Sequence, residues 1–203
     1  MMNVTCPTPV EKSSYIIMIQ GDGRTLPADY ARFKEFGVDS DVYCIGRSIR
    51  FCPEAVDHWG NVDGAEAIWW AMNLVNKWRV KPQTHTLFEM RGFTHCWNIE
   101  QGDYGMEDVM WHGSTALFAA MTCVAMGYER IVLCGCPMDG NGHWYEPEDM
   151  LGPRWTGESY QAWLDFKDAP ESEKVRSMSG YTKTMLGEPT LEWLTAIKEN
   201  PCG

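Results

Sequence analysis

The chain has 203 residues and a formal net charge of −11. This length favours a single domain spanning residues 1–203 over two domains with independent cores. The acidic balance argues against nucleic acid or an anionic membrane surface as the main partner, whereas a small nucleotide is allowed because local dipoles and a few arginines can bind it.

Membrane and secretion signals are not apparent in the sequence. No segment approaches the roughly 20 apolar residues of a membrane span, and the start MMNVTCPTPVEK lacks the basic-then-apolar form of a secretion signal. Several of the eight cysteines fall in apolar runs, which favours reduced, buried thiols over disulfides. We therefore expect a soluble, cytoplasmic protein.

Two strands near the start of the chain each lead into a polar turn. Residues 15–20 are predicted to form a strand that runs into Gly21-Asp22-Gly23, after which Thr25 can cap a helix. Residues 41–45 predict a second strand, which the turn at residues 46–48 follows. The first turn lacks the full GxGxxG pattern, so it indicates a classical dinucleotide site only weakly.

The middle of the chain continues the alternation of strands and helices. Residues 56–62 and 84–88 are predicted strands, and residues 65–78 have the apolar spacing of a helix that faces the core. Residues 89–112 form a long stretch rich in glycine, aromatic and polar residues. Loops of this length are commonly functional or mobile.

The most informative stretch is residues 111–139, WHGSTALFAAMTCVAMGYERIVLCGCPMD. Ser114 or Thr115 can cap a helix that begins near Gly113, and Gly127 suits the left-handed position at its end. Residues 131–134 then read as a central parallel strand, with Asp139 just beyond its carboxyl end. Ligands bind at that edge of open α/β sheets, and a helix N-terminus attracts phosphate. A packing unit without a ligand is the alternative.

Beyond residue 137 the composition changes to glycine, proline, tryptophan and acids, which predicts an irregular lid. The core is accordingly placed at about residues 14–136, and the lid with its closing helices at about 137–200. Helical pieces are predicted at residues 159–166 and 190–198. The stretch at residues 176–181 reads as a polar turn.

The segments IIMIQGDG, DVYCIGRSI and HGSTALFAAMTCVAMGYERIVLCGCPMD together resemble a known group. They are similar to the Rossmann-like family of bacterial sialyltransferases, hydroxymethylpterin diphosphokinase-like proteins and uncharacterised phage and prophage proteins. The resemblance spans roughly residues 14–146. It implies a three-layer α/β domain with a mostly parallel sheet, helices on both faces and an irregular C-terminal lid.

By this resemblance, the polar turns would hold a nucleotide-diphosphate or nucleotide-sugar donor. The implied binding residues are Gly21, Asp22, Gly23, Arg24, Gly46, Arg47, His112, Gly113, Ser114, Thr115 and Gly135. The second turn departs from the family, which commonly has an asparagine there, and Asp139 lies two residues beyond the family's acid. A partner in a homo-oligomer is also allowed.

Catalytic chemistry is assigned to His143 and Asp139. An unperturbed imidazole can accept a hydroxyl proton at neutral pH, so His143 is the candidate base, with a lid histidine as the alternative. Asp139, with Asp63, could bind Mg²⁺ beside a donor diphosphate or cap a neighbouring helix. Zinc is not expected, because Cys134, Cys136 and His143 lack a matching fourth ligand.

Other side chains can assist binding. Arg24, Arg47 and Arg50 follow polar turns and could clamp phosphates or remain surface charges. His112 could donate a hydrogen bond to phosphate or serve in packing. Large rings in polar loops suit stacking on a sugar or base, or an oligomer interface; the tryptophans in predicted loops are Trp97, Trp111, Trp144 and Trp155.

Two classes of function follow from these features. The first is an enzyme that transfers a sugar, or alternatively a diphosphoryl group, from a nucleotide donor to a small or glycan acceptor. The second is a nucleotide-binding protein without turnover, of the phage type, that regulates a partner in the bacterial host cytoplasm.

Overall fold

The structure is a computed structural model that describes residues 12–62, 82–87, 93–97, 114–147 and 157–196. The predicted helix at residues 65–78 lies outside the described residues. So do several predicted site residues, namely His112, Gly113, Asp63, Trp111 and Trp155.

Within these ranges, seven parallel strands form one sheet in the order β5-β4-β3-β2-β1-β6-β7. The strands are β1 (Ile16–Gln20), β2 (Asp41–Ile45), β3 (His58–Gly60), β4 (Gln83–Thr86), β5 (His95–Cys96), β6 (Arg130–Cys134) and β7 (Val175–Ser177). The chain moves outward from β1 to β5 and then returns to place β6 on the other side of β1.

The centre of the sheet follows directly from the sequence. All residues of β1 and β2 are buried, and all of β6 except its first residue, because both faces of a parallel sheet are covered. Ile17 pairs with Ile131 and Met18 with Val42, so apolar side chains continue from strand to strand. The prediction of these three strands is confirmed.

Helices cover both faces of this sheet. The described helices are α1 (Leu26–Lys34), α2 (Thr115–Ala125), α3 (Gly157–Asp168), α4 (Gly180–Leu186) and α5 (Leu191–Thr195), with short 3₁₀ turns at Gly46–Arg50 and Pro170–Lys174. One core contains Phe118 of α2 and Trp163 of α3, and the other contains Phe33 of α1 and Leu194 of α5. The three-layer, Rossmann-like α/β fold predicted from the sequence is therefore confirmed.

The ends of α2 match the sequence analysis closely. Ser114 is the residue that caps it, since its Oγ accepts a hydrogen bond from the backbone N–H of Leu117 at 3.3 Å. Gly127 has φ +81°, the left-handed backbone conformation that glycine adopts without steric cost.

Two strands were not predicted. β5 lies in the predicted loop at residues 89–112, and β7 lies within the predicted lid, where residues 176–181 were interpreted as a polar turn. Both strands are very short and neither has an apolar run, so they depend on backbone pairing with β4 and β6 for their extended form. The sheet thus extends beyond the predicted core boundary at residue 136.

Among the residues that the structure describes, no helix is both long enough and apolar enough to cross a membrane. The cysteines in these ranges are free, and all except Cys96 are buried, which agrees with the prediction of reduced thiols.

Candidate functional site

A cleft of about 470 Å³ opens at the carboxyl ends of β1, β2 and β6. This volume is typical of a small-molecule site. Its wall comes from the turns after these three strands, from the first residues of α2 and from residues 135–143, 145 and 146. The cleft lies beside the point where the strand order reverses, which is where open α/β sheets bind ligands.

The turns after β1 and β6 pack backbone against backbone. The N–H of Gly21 donates to the carbonyl of Cys134, and that of Gly23 donates to the carbonyl of Gly135, both at 2.8 Å. A Cβ at Gly21 would lie only 2.5 Å from the Gly135 oxygen and the Cys136 Sγ. Glycine is needed here because the two turns approach too closely for any side chain.

The N-terminus of α2 supplies hydrogen-bond donors to the cleft. Ser114, Thr115 and Ala116 all line it, and the first N–H groups of a helix have no partner within that helix. Ser114 Oγ accepts hydrogen bonds from Leu117 N and from Trp163 Nε1, at 3.3 and 3.1 Å. Because both lone pairs of the oxygen are then in use, the hydroxyl proton remains to be donated to a ligand.

The second turn brings a cation to the cleft. Gly46 has φ +50°, and the backbone N–H of Arg47 donates to Asp22 Oδ2 at 3.3 Å, so the two predicted turns are joined. The Arg47 guanidinium lies 5.5 Å from the centre of the Tyr145 ring. Burial, with the nearby Asp22 charge, raises the pKa of the Tyr145 hydroxyl, which therefore stays neutral.

His143 is paired with a carboxylate at the cleft wall. Its Nδ1 lies 3.1 Å from Glu146 Oε2, the same oxygen that accepts its backbone N–H at 2.9 Å. The imidazole stacks on Tyr145, with ring centres 5.2 Å apart and planes inclined by 2°. The backbone of His143 also pairs with Gly23 through an antiparallel bridge. Residues 141–147 are thus attached to the first turn as a wall.

Arg24 fixes this wall and is not among the residues that line the cleft. Its Nε donates to the carbonyl of Asn141 at 2.6 Å, and its Nη2 donates to the carbonyls of Glu146 and Pro147 at 2.9 and 2.6 Å. The structure therefore gives the guanidinium three backbone acceptors in place of the phosphate expected from the sequence. Arg50 likewise does not line the cleft.

Asp139 lines the cleft and accepts the backbone N–H of Asn141 at 3.1 Å, so its carboxylate stabilises a local turn. Burial raises the pKa of the Cys134 and Cys136 thiols well above the ordinary value, so both are neutral. Within the described ranges, no group of three or more His, Cys, Asp or Glu side chains is arranged to hold a metal ion.

Most of the predicted site residues in the described ranges meet in this cleft. They are Gly21, Asp22, Gly23, Gly46, Arg47, Ser114, Thr115, Gly135, Asp139 and His143. Asn61, Tyr145 and Glu146 also line the cleft and were not predicted. Glu146 follows His143 by three residues, and this short spacing between an imidazole and a carboxylate was the signal available in the sequence.

Two of the tryptophans predicted to stack on a ligand or to form an oligomer interface, Trp97 and Trp144, lie in the described part of the chain. Trp97 is buried in the core on the α2 face, and its Nε1 donates to His85 Nδ1 at 3.0 Å. Trp144 packs against the other core and makes an edge contact with Phe51, with ring centres 5.9 Å apart. Neither lines the cleft. Their bulk fills the interior, which a sequence position within a loop does not reveal.

Comparison of the chain with protein families, curated proteins and solved structures gives no match. The fold and the cleft therefore define the class by themselves. The chain is a Rossmann-like α/β protein with a ligand-sized cleft at the carboxyl edge of its sheet.

Proposed function

We propose that the cleft binds a nucleotide through its phosphates and that the protein is a nucleotide-sugar-dependent glycosyltransferase. The observation that carries this proposal is the pairing of His143 with Glu146 in the same cleft as the N-terminus of α2. One part of the cleft offers a base, and another offers donors for an anion.

The donors suit a phosphate group. A helix N-terminus attracts anions through its free N–H groups and its dipole. The Ser114 hydroxyl adds a donor, and Arg47 adds a positive charge at the second turn. Asp22 and Asp139 line the same cleft, so a bound Mg²⁺ would be held by these carboxylates and would offset the charge of a donor diphosphate.

His143 suits the role of general base. Nδ1 is buried and lies 3.1 Å from the Glu146 carboxylate, so Nε2 is the ring nitrogen that we assign to the acceptor hydroxyl. Nε2 would take the proton from an acceptor hydroxyl as that oxygen forms a bond to the anomeric carbon of the donor. The bond from this carbon to the donor phosphate breaks with inversion, and the nucleotide leaves with the electron pair.

A non-catalytic nucleotide-binding protein of the phage type is the second candidate. Its support is that Asp139 is engaged with the backbone of Asn141 and that Gly46 offers no side chain where the resembling family has asparagine. A diphosphotransferase would use the same anion site. Both alternatives share the binding step with the glycosyltransferase and differ from it in the chemistry that follows.

Binding is tested first, by thermal unfolding of the protein with nucleotides and nucleotide sugars, with and without Mg²⁺. A ligand at 100 times its Kd stabilises the fold by about 2.7 kcal/mol. We expect Arg47→Ala to weaken this stabilisation and Arg50→Ala, a charge-matched change outside the cleft lining, to leave it unchanged. No stabilisation by any of these ligands would contradict the proposal.

Turnover is tested next with the nucleotide sugar that binds. We expect His143→Gln to lose at least about a hundredfold in kcat, the usual contribution of a general base, while binding of the donor is retained. Retained binding with no release of nucleotide by the wild-type protein, across a panel of glycan and small-molecule acceptors, would favour the non-catalytic candidate.

A further inference from the structure

A chain of hydrogen bonds runs through the core below β2, β3 and β4, apart from the cleft. Trp97 Nε1 donates to His85 Nδ1 at 3.0 Å, and His85 Nε2 lies 3.1 Å from His58 Nδ1. His58 Nε2 lies 3.0 Å from the Tyr128 hydroxyl, which donates to Asp41 Oδ2 at 2.6 Å. We call these five side chains the buried relay; all of them are buried.

Both ends of the buried relay fix the direction of its protons. The Trp97 indole can only donate, so His85 Nδ1 must be the acceptor and the ring proton of neutral His85 must be on Nε2. At the other end, Tyr128 donates its single hydroxyl proton to a hydrogen bond with Asp41, so its oxygen accepts a hydrogen bond from the Nε2–H of His58. His58 Nδ1 then carries no proton and accepts a hydrogen bond from His85 Nε2–H. This agrees with the proton position on His85 that follows from Trp97.

No further proton fits into this arrangement. A second proton on His58 would place Nδ1–H against the Nε2–H of His85. If His85 instead adopted the tautomer with its proton on Nδ1, that proton would face the indole N–H of Trp97. Each added proton therefore sets two donors against each other inside the core, where an unmade hydrogen bond is costly.

The surroundings also oppose positive charge. Burial lowers the pKa of His58 to about 4, although the Asp41 charge acts in the opposite direction. Burial, followed by the nearby His58 and His95, lowers the pKa of His85 well below its ordinary value. Besides Asp41, which belongs to the buried relay, the titratable or charged groups that face it from neighbouring elements are Lys12, Tyr43, Asp57, His95 and Cys123. Of these, His95 stacks on His85 with ring centres 4.9 Å apart.

The buried relay joins separate parts of the fold. His58 and His85 belong to β3 and β4, Trp97 follows β5, Asp41 begins β2, and Tyr128 follows α2. We propose that the buried relay is an acid-triggered release that holds β3, β4 and β5 against β2 and the end of α2 only while both central histidines are neutral. When either histidine gains a proton, β3, β4 and β5 are released from β2 and the end of α2. β1 and β6, which contribute no side chain to the relay, remain paired.

The state of the protons is tested directly on the wild-type full chain. Long-range ¹H–¹⁵N NMR of histidine-labelled protein at pH 7.5 distinguishes a protonated ring nitrogen from a bare one. We expect His58 and His85 both to carry a single proton, on Nε2. A proton on Nδ1 of either ring, or a charged imidazolium at this pH, would overturn the proposal without any variant having to fold.

The release is tested by hydrogen exchange of the same protein, corrected for the intrinsic effect of pH. Between pH 7 and pH 5 we expect protection of the β3 and β4 amides to fall by at least about tenfold more than protection of β1 and β6, because opening exposes histidines that then bind protons. Equal loss in all four strands, or no loss, would contradict a local release.

A matched pair of variants separates the relay from packing. Trp97→Phe removes the donor that opposes protonation of His85, whereas Trp59→Phe removes a buried indole whose Nε1 donates to the Gly46 carbonyl outside the relay. We expect Trp97→Phe to make protection of β3 and β4 depend less steeply on pH, and Trp59→Phe to keep the wild-type dependence. The same pH dependence in both variants would count against the relay.

Discussion

Asp29 Oδ2 accepts the backbone N–H of Gly135 at 2.9 Å, which joins α1 to the turn after β6 across 106 residues of sequence. The same oxygen accepts hydrogen bonds from the hydroxyls of Thr25 at 2.8 Å and Ser179 at 2.6 Å. One buried carboxylate therefore holds together the first helix, the glycine turn at the cleft floor and the start of α4.

We expect Asp29→Ala to lower the free energy of unfolding by about 2–3 kcal/mol, because the buried Gly135 N–H would lose its acceptor. Urea denaturation measures this change. Asp165→Ala, which removes an exposed carboxylate that accepts from Gln161, should stay within about 0.5 kcal/mol of wild type. Similar effects of the two changes would show that Asp29 does not support the turn.

Gly21→Ala should destabilise the fold by about 1–3 kcal/mol, since its new Cβ would overlap the Gly135 oxygen and the Cys136 Sγ. Gly157→Ala is the matched control, because nothing in the described part of the chain lies within 4 Å of a Cβ at that position. Thermal unfolding of both variants gives the comparison. A Gly21→Ala protein as stable as Gly157→Ala would mean that the two turns can separate.

Arg24→Ala should loosen residues 141–147, because three backbone carbonyls would lose the guanidinium that holds them. We expect faster hydrogen exchange in this segment and, if a nucleotide binds, a weaker affinity, with a loss of global stability of only about 1 kcal/mol. Arg50→Ala should change neither exchange in the segment nor affinity. Unchanged exchange in Arg24→Ala would remove the structural role assigned to this side chain.

Stability should fall as the pH drops below about 6.5, the ordinary pKa of histidine in an unfolded chain. Because His58 has its pKa lowered to about 4 in the folded protein, the unfolded state binds the proton first, and the stabilisation is lost between pH 6.5 and pH 4. This shift amounts to about 3 kcal/mol for His58 alone. Urea denaturation at pH 7.5, 6 and 5 measures how the free energy of unfolding changes with pH. A free energy of unfolding that stays constant from pH 7.5 to pH 5 would be inconsistent with a neutral His58.

The sequence determined the parts of the fold that depend on neighbouring residues. The apolar runs of β1, β2 and β6, a cap at Ser114 or Thr115 and the left-handed position of Gly127 were all predictable, because strand burial, capping and backbone preference act within a few residues. The cleft could be placed for the same reason, since parallel strands bring their carboxyl ends to one edge.

Other features needed contacts between distant residues. The two-residue strand β5 and the three-residue strand β7 have no apolar pattern of their own and exist through pairing with β4 and β6. Arg24 reads as a phosphate ligand beside a glycine turn, but its partners lie more than 110 residues away. Trp97 reads as a loop aromatic, yet it is buried against His85.

Local sequence thus determined the central strands, the ends of α2 and the edge of the sheet that carries the cleft. Tertiary structure alone decided that Arg24 holds the backbone of residues 141–147 and that His58, His85 and Tyr128 form one hydrogen-bonded chain. The physical reason is that backbone preferences act over a few residues, whereas the donors and acceptors of a buried side chain are known only once the strands that carry them have been packed together.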